Sequence, residues 1–139
     1  MQSNIDIIRQ WYKSYSCGEI AEAKPLFADN LRWQIAAGFP CGDESPFEGK
    51  ERIFGYYFPR LGNTLERYFE DWQLLSDELL ECGNKIVSIG RYVGRSKGSS
   101  ESFTAPFVHI WELHNGQIAR LTQYTDTWIV RQAMDSLLN

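Results

Sequence analysis

Residues 101–127 read ESFTAPFVHIWELHNGQIARLTQYTDT, and this stretch decides the fold. Asn115-Gly116 supplies the two positive-φ residues that a type I′ turn requires, and runs rich in apolar and β-branched residues flank it. The pattern predicts a β-hairpin. Counting outward from the turn places Leu113 opposite Ile118 and, further along, His109 opposite Thr122.

This register predicts one hairpin face that mixes apolar and polar side chains. His109, Thr122 and Tyr124 share that face, and Asp126 follows two residues beyond Tyr124. A buried polar group must be satisfied or must serve a purpose, so His109, Tyr124 and Asp126 are the candidate catalytic residues. At the usual strand rise, His109 and Asp126 lie about 13 Å apart, which predicts a two-point pocket that grips opposite ends of a ligand.

The composition is that of a folded domain without nucleic-acid or membrane character. The 139 residues suffice for one core, and 43% of them are hydrophobic. The net charge of −4 comes from interspersed residues of both signs, without the basic stripe of a nucleic-acid binder. No apolar run approaches a membrane span, and the N-terminus lacks the pattern of a signal peptide. We expect a single domain over residues 1–139, a cytoplasmic location and neither nucleic-acid nor membrane partners.

The cysteines and histidines do not follow a metal-binding pattern. Cys17, Cys41 and Cys82 are widely spaced, and the chain has only 2 histidines. We therefore expect free thiols, no metal and no cofactor. Cys41 lies in a loop without a partner base, so we do not expect it to be a nucleophile.

The pattern of apolar residues and helix or turn signals predicts helices first and long strands later. The first half is predicted to contain a helix over about residues 4–16 with Ser3 as N-cap, a short helix ending near Pro25, a strand over 31–36 and an irregular segment over 37–49. A third helix is predicted after Lys50, and Pro59 should kink or break it. Strands over 68–76 and 85–97, the hairpin, and a closing helix over 128–138 complete the prediction. This order is typical of an α+β fold.

In such a fold a strongly curved, mixed or antiparallel sheet packs one face against the N-terminal helices. The bent sheet encloses a cone in which an apolar small molecule can bind. Aromatic residues make up 14% of the chain, more than packing alone usually needs, although each one taken singly also suits a core. The aromatic residues expected to line the ligand site are Tyr12, Trp33, Phe54, Tyr57, Phe58, Phe107 and Trp111.

Three strings resemble the SnoaL-like branch of the NTF2-like, ketosteroid isomerase-related superfamily. They are PFEGKERI at residues 46–53, IGRYVGRSKG at 89–98 and FVHIWELHNGQIARLTQYTDT at 107–127. The resemblance extends over roughly residues 3–133. It implies a cone-shaped α+β barrel fold, a pocket at its wide end, and a homodimer joined through the sheet.

The resemblance also implies roles for individual residues. His109 falls at a position resembling the one where ketosteroid isomerases hold a protonated acid that donates to the substrate oxyanion. Tyr12 or Tyr15 resembles the tyrosine that those enzymes use from the first helix. Asp126 resembles the aspartate that ends the equivalent strand in limonene-epoxide-hydrolase-like and polyketide-cyclase-like members, where it acts as acid or base.

A homodimer is also expected from the chain itself. Tyr68, Trp72 and Leu74 alternate as apolar residues on a long strand predicted to lie at an edge of the sheet. An edge of this kind would leave an apolar face open to water unless a second copy covered it.

Two functions from different classes fit the sequence. The first is an isomerase, cyclase, dehydratase or epoxide hydrolase, with Asp126 as general acid or base and with His109 and a tyrosine polarising an apolar substrate. The second is a non-catalytic module that binds an apolar ligand or a protein with the same cone. In that case Asp126 is the N-cap of the closing helix, and His109 is a hydrogen-bonded core residue.

Overall fold

Helices gather at the start of the chain and long strands at its end, as the computed structural model shows for residues 2–135. The helices are α1 (Asn4–Ser16), two 3₁₀ helices (Ile20–Leu26 and Gly42–Glu44), α2 (Lys50–Arg52), a π-helical segment (Ile53–Tyr57), α3 (Phe58–Tyr68) and α4 (Thr127–Asp135). The strands are β1 (Phe27–Gln34), β2 (Phe47–Glu48), β3 (Phe69–Cys82), β4 (Lys85–Ser96), β5 (Ser102–His114) and β6 (Gln117–Thr125). The predicted α+β class is confirmed; of the predicted closing helix, residues 136–138 lie outside the described residues.

The described strands form one curved, mixed sheet in the order β2-β1-β6-β5-β4-β3. β1 and β6 run parallel, whereas the other neighbouring pairs are antiparallel. Strand β3 carries register shifts between Glu70 and Gln73 and between Ser76 and Glu78, and bulges of this kind bend and twist a strand. The inner face of the sheet packs against α1 and α3, so the predicted arrangement of sheet and helices is also confirmed.

Helix α1 begins and packs as its sequence predicts. The Ser3 hydroxyl accepts a hydrogen bond of 3.2 Å from the backbone N–H of Asp6, which satisfies one of the free donors of the first turn. Ile8, Trp11 and Tyr12 are buried on one side of the helix. This face brings Tyr12 against the inner face of the sheet.

Pro59 does not break the third helix, so that part of the predicted kink or break is wrong, although the helix changes from α to π in the turn before it. Pro59 lies in the first turn of α3, where a missing backbone N–H costs little, and α3 continues to Tyr68. The turn before it is π-helical, with the N–H of Phe58 bonded to the carbonyl of Ile53. Burial of Leu61 and Leu65 then holds α3 against the core.

The predicted hairpin forms around Asn115-Gly116. Both residues have positive φ, 51° and 76°, as a type I′ turn requires. The first pairs beyond the turn, including Leu113 with Ile118, are the predicted ones.

Further from the turn, the predicted register is wrong because β6 contains a bulge. Glu112 pairs with Arg120, so Ala119 is an extra residue without a partner on β5. His109 consequently lies opposite Gln123 instead of Thr122. Since side chains alternate along a strand, one extra residue exchanges the two faces of β6 beyond it.

The pattern of apolar residues on β6 explains why the bulge is favoured. Ile118 and Leu121 are both buried, although three positions separate them and strict alternation would place them on opposite faces. Without the bulge, Arg120 would point into the core in place of Leu121, and burying an unpaired charge is costly. The bulge leaves Arg120 exposed beside Glu112 and keeps both apolar side chains inside.

Candidate functional site

Aromatic side chains nearly fill the space between the sheet and the helices. A cavity of only about 30 Å³ remains there. Its lining residues are Trp11, Tyr15, Trp33, Ile35, Phe39, Tyr57, Phe58, Leu61, Leu74, Tyr92, His109, Trp111, Leu121 and Gln123. Most of these lining residues are apolar. The polar side chains among them include His109, Tyr92 and Gln123.

His109 is buried, with 3% of its surface exposed, and both of its ring nitrogens are hydrogen-bonded. Nδ1 lies 2.7 Å from the hydroxyl of Tyr12 on α1, and Nε2 lies 2.8 Å from the hydroxyl of Tyr92 on β4. The Phe107 ring stacks on the imidazole with 3.9 Å between centroids. Burial lowers the pKa of His109 from 6.5 to about 3, because it disfavours the charged ring. His109 is therefore neutral at physiological pH.

Gln123 fixes the second tyrosine from the opposite side. Its side-chain N–H donates to the Tyr92 hydroxyl over 2.7 Å, and its carbonyl oxygen accepts from the backbone N–H of Ala36 over 3.1 Å. Gln123 was missed in the sequence because the uninterrupted register places it on the outer face. The available signal was the pair Ile118 and Leu121, whose spacing of three already requires a shift.

Tyr12 links the imidazole to the rest of the core. The indole N–H of Trp111 donates to the Tyr12 hydroxyl over 2.9 Å. Burial raises the pKa of Tyr12 well above its usual value, and the neighbouring side chains of Ser88 and Trp111 offset part of this rise. Ser88 in turn lies 2.8 Å from the hydroxyl of Ser76 on β3. The phenol therefore stays protonated and acts as a neutral hydrogen-bonding group.

Trp33 carries a poorly satisfied donor at the wall of the cavity. Only 4% of its surface is exposed, and among residues 2–135 its Nε1 is the one fully buried side-chain polar atom without a well-formed hydrogen bond. Burial raises the pKa of the Tyr57 phenol, and Trp33 lies close enough to that hydroxyl to offset part of the rise, but the contact is not a good hydrogen bond. A buried donor of this kind is expensive unless a better acceptor reaches it.

The structure does not bring Tyr124 and Asp126 together with His109. Tyr124 follows the bulge on the outer face, and 60% of its surface is exposed. Asp126 is also exposed, and its carboxylate accepts a 3.1 Å hydrogen bond from the backbone N–H of Ile129. That contact is the N-cap of α4. The predicted two-point pocket on one sheet face is therefore wrong, because the bulge separates its two ends.

The predicted aromatic lining divides into three groups. Trp33, Tyr57, Phe58 and Trp111 line the cavity directly. Tyr12 and Phe107 instead contact His109. Phe54 is half-buried, with its ring against Phe27 and Phe58. Their contribution to ligand binding stays a prediction.

Other predicted features concern the cysteines, metals and the membrane. Cys17, Cys41 and Cys82 are free, and Cys41 lies 3.5 Å from the hydroxyl of Thr64. Within residues 2–135, no group of three or more His, Cys, Asp and Glu side chains is arranged to hold a metal ion. In the same range, no helix is both long and apolar enough to cross a membrane.

Comparison with known proteins gives a consistent result. Residues 8–121 match the family model described as the SnoaL-like domain. An NTF2-like protein from Burkholderia thailandensis is 25% identical, with 96% of this chain and 98% of that chain covered and a TM-score of 0.83. TerC, co-crystallised with polyporic acid, is 18% identical over 95% of this chain and 98% of its own, with a TM-score of 0.77.

A third similar structure is a SnoaL-like protein from Jannaschia sp. described as a polyketide cyclase. It is 16% identical, with a TM-score of 0.74, and the match covers 94% of this chain and 90% of that one. No protein of curated function matches the chain in sequence. The similar structures therefore establish the fold without assigning a reaction.

The low pKa of His109 predicts a specific loss of stability in acid. The unfolded chain protonates this ring near pH 6.5 and the folded chain only near pH 3, so the unfolded state binds more protons between these values. Folding stability should fall as the pH decreases through that window, by up to about 1.4 kcal/mol per pH unit from this residue. Urea unfolding of the wild type and of His109→Gln from pH 7 to pH 4 should show a shallower pH dependence in the variant.

The exposed residue His114 provides the matched control, because His114→Gln removes an imidazole without touching the core. This control should retain the wild-type pH dependence. Equal slopes for the wild type and His109→Gln would contradict the buried, neutral state of His109.

Proposed function

Because the chain belongs to the SnoaL-like domain family, we propose that the interior of its sheet binds an apolar small molecule and that His109 relays a proton to or from it. The fold expected from the sequence resemblance is confirmed by this family and by the NTF2-like structures. The observation that carries the proposal is the buried imidazole whose two nitrogens are held by Tyr12 and Tyr92. A titratable group with a strongly shifted pKa beside a cavity marks a candidate functional site.

The chemistry of this triad is that of neutral hydrogen-bonding groups. Burial keeps His109 uncharged and raises the pKa of Tyr12 and of Tyr92, so none of the three carries a charge at neutral pH. A neutral imidazole accepts a proton at one nitrogen while it donates from the other. The triad therefore suits a concerted proton shift, in which His109 accepts a proton at one nitrogen while it releases one from the other and never becomes charged. Proton shifts are the step common to isomerase and cyclase reactions.

The poorly satisfied donor of Trp33 indicates which ligands are favoured. A carbonyl or enolate oxygen within reach of Nε1 would accept a better hydrogen bond than the one this N–H now has, and would be stabilised by it. A hydrocarbon of the same shape would leave that donor without a good acceptor. We therefore propose carbonyl-bearing apolar molecules as the ligand class.

The size of the cavity requires Phe39 to move when such a ligand binds. Ligand pockets commonly measure about 300–1,000 Å³, roughly ten times or more the volume of about 30 Å³ found here. Phe39 lies in the irregular segment between β1 and β2, and its ring packs 5.1 Å from that of Tyr92. Displacing this ring would open space next to the triad.

The same small cavity supports a second candidate function, which is binding without catalysis. A nearly filled core also fits a protein whose interior polar groups serve mainly to stabilise one structure. Detection of a bound ligand that is never converted would favour this alternative. Polyporic acid, the compound co-crystallised with TerC, is one suitable probe for both functions.

We predict that Trp33 distinguishes a ketone from a hydrocarbon of the same shape. Acetophenone and ethylbenzene should be titrated into the Phe39→Ala variant, whose missing ring leaves room for the phenyl group of either probe. The Trp33 indole N–H signal, assigned by its loss in Trp33→Phe, should shift with acetophenone much more than with ethylbenzene. One neutral hydrogen bond should make acetophenone binding about 3- to 10-fold tighter.

Adding Trp33→Phe to Phe39→Ala supplies the control, because it keeps an aromatic wall and removes only the donor. The preference for the ketone should then disappear. Equal binding of both probes before this change, or an unshifted indole signal, would count against the proposed ligand class.

We also propose that the chain forms a homodimer through the outer face of the sheet. Trp72 and Leu74, which suggested a dimer in the sequence, face inward instead: Leu74 is buried, and the Trp72 indole donates to the Tyr15 hydroxyl. The outer face nevertheless carries apolar side chains, with Val108 half-buried and Ile89 40% exposed. Pairing this patch with its copy about a two-fold axis would cover both.

A charge on the outer face should therefore separate the dimer. The wild type should scatter light with twice the chain mass of 16.1 kDa, and Ile89→Glu should scatter with the mass of one chain. Lys13→Glu, an exposed change on α1 away from the outer face, is the matched control and should stay dimeric. A wild-type protein that remains a monomer at micromolar concentration would rule the dimer out.

A further inference from the structure

We infer that Gln123 sets the direction of a hydrogen-bond relay from the cavity to the surface, so that His109 carries its ring proton on Nδ1 and accepts at Nε2. The relay passes from Gln123 through Tyr92, His109 and Tyr12 toward Ser88 and Ser76. It rests on the proposed function of His109 and specifies how a proton would leave the interior.

The orientation of Gln123 is fixed by a backbone group. The N–H of Ala36 can only donate, so the side-chain atom that faces it must be the carbonyl oxygen of Gln123. The amide N–H₂ then faces Tyr92 and donates to its hydroxyl. Tyr92 accepts this bond and keeps its own proton available for another partner.

That partner is His109, which settles the position of the ring proton. Among the described residues, the hydrogen bonds of the Tyr92 hydroxyl are those with Gln123 and His109. If Nε2 carried the proton, Tyr92 would accept twice and its own proton would have no acceptor among these residues. An unpaired buried donor disfavours that arrangement by roughly tenfold or more. The Tyr92 hydroxyl therefore donates to Nε2, and Nδ1–H donates to Tyr12.

Tyr12 has an outlet for its own proton, which Tyr92 lacks. Tyr12 also accepts from the Trp111 indole, so its own proton needs an acceptor as well. Ser88 pairs with His109 across β4 and β5 and lies 2.8 Å from the Ser76 hydroxyl. Burial raises the pKa of the Tyr12 phenol, and Ser88 lies close enough to it to offset part of this rise. Tyr12 and Ser76 both line a surface groove of about 320 Å³ between α1 and β3, together with Asp77. Each hydrogen-bond donor of the relay therefore has an acceptor when the bonds run in one direction, from Gln123 to the groove.

The relay moves a proton without leaving a charge on any of its own groups. When a ligand gives a proton to the Tyr92 oxygen, Tyr92 passes its own proton to Nε2, and Nδ1 releases its proton to Tyr12. Tyr12 passes its hydroxyl proton to Ser88, and Ser88 passes its own proton to Ser76. Ser76 then releases its own proton to water in the groove. Each group gains and loses one proton, and the ligand keeps the bonding electron pair and becomes an anion. That anion accepts from Tyr92, so the relay now points toward the cavity.

This reversal can be reproduced without a ligand by a carboxylate at position 123. In Gln123→Glu, one ionised oxygen still accepts from Ala36, and the other accepts from Tyr92 in place of donating to it. The Tyr92 proton turns toward Glu, Nε2 must supply a proton to Tyr92, and Tyr12 donates to Nδ1. The variant should therefore move the ring proton of His109 from Nδ1 to Nε2.

Long-range ¹H–¹⁵N NMR of the imidazole measures this directly. His114→Gln leaves His109 as the only histidine and serves as the background for all samples. The ring proton is expected on Nδ1 in this background throughout pH 6–9. In Gln123→Glu it is expected on Nδ1 while the new carboxyl is protonated, and on Nε2 once the carboxyl ionises. Gln123→Glu combined with Tyr92→Phe breaks the link and should abolish the pH response.

A ring proton on Nε2 in the background protein would overturn the relay, and this measurement requires no variant of the core to fold. An ionised Glu at position 123 that leaves the proton on Nδ1 would overturn it as well. Both results are read without a ligand, so they are independent of whether acetophenone binds beside Trp33. Failure of the ligand titrations would remove the proposed function and leave the direction of the relay as measured.

Discussion

The structure depends on one extra residue, Ala119, in the last strand. A strand alternates its side chains with a period of two, so a single inserted residue decides which face every later side chain occupies. Here it keeps Ile118 and Leu121 in the core and turns Gln123 inward against Tyr92. Tyr124 is turned outward by the same step. The polar centre of the domain is thus a consequence of how β6 buries its apolar residues.

The interior that results combines tight packing with an almost complete set of hydrogen bonds. His109, Tyr12, Tyr92 and Gln123 hydrogen-bond with one another within an aromatic shell, and burial keeps the imidazole and the two phenols uncharged. Trp33 is the exception, because its indole N–H lacks a well-formed hydrogen bond. We propose that a small carbonyl ligand satisfies this donor beside a triad that relays protons.

Much of the fold can be predicted from local signals in the sequence, because those signals act over a few residues. The Ser3 cap and the periodic apolar face predict α1, and Asn115-Gly116 predicts the turn. His109 is identifiable because a titratable residue stands out in an apolar strand. The continuation of the helix past Pro59 and the inward position of Gln123 depend on tertiary packing. Ala119 itself has no residue-type signal for a bulge, and only the spacing of Ile118 and Leu121, together with the cost of burying Arg120 between them, indicates one.

We propose that the site is centred on His109 inside the sheet and excludes Asp126 on its rim. Acetophenone titrations of Phe39→Ala carrying either His109→Gln or Asp126→Asn test it most directly. The His109 change should weaken binding by about tenfold or more through the disrupted triad, whereas the Asp126 change should leave affinity unaltered. The opposite result, with affinity lost in Asp126→Asn and retained in His109→Gln, would contradict the account.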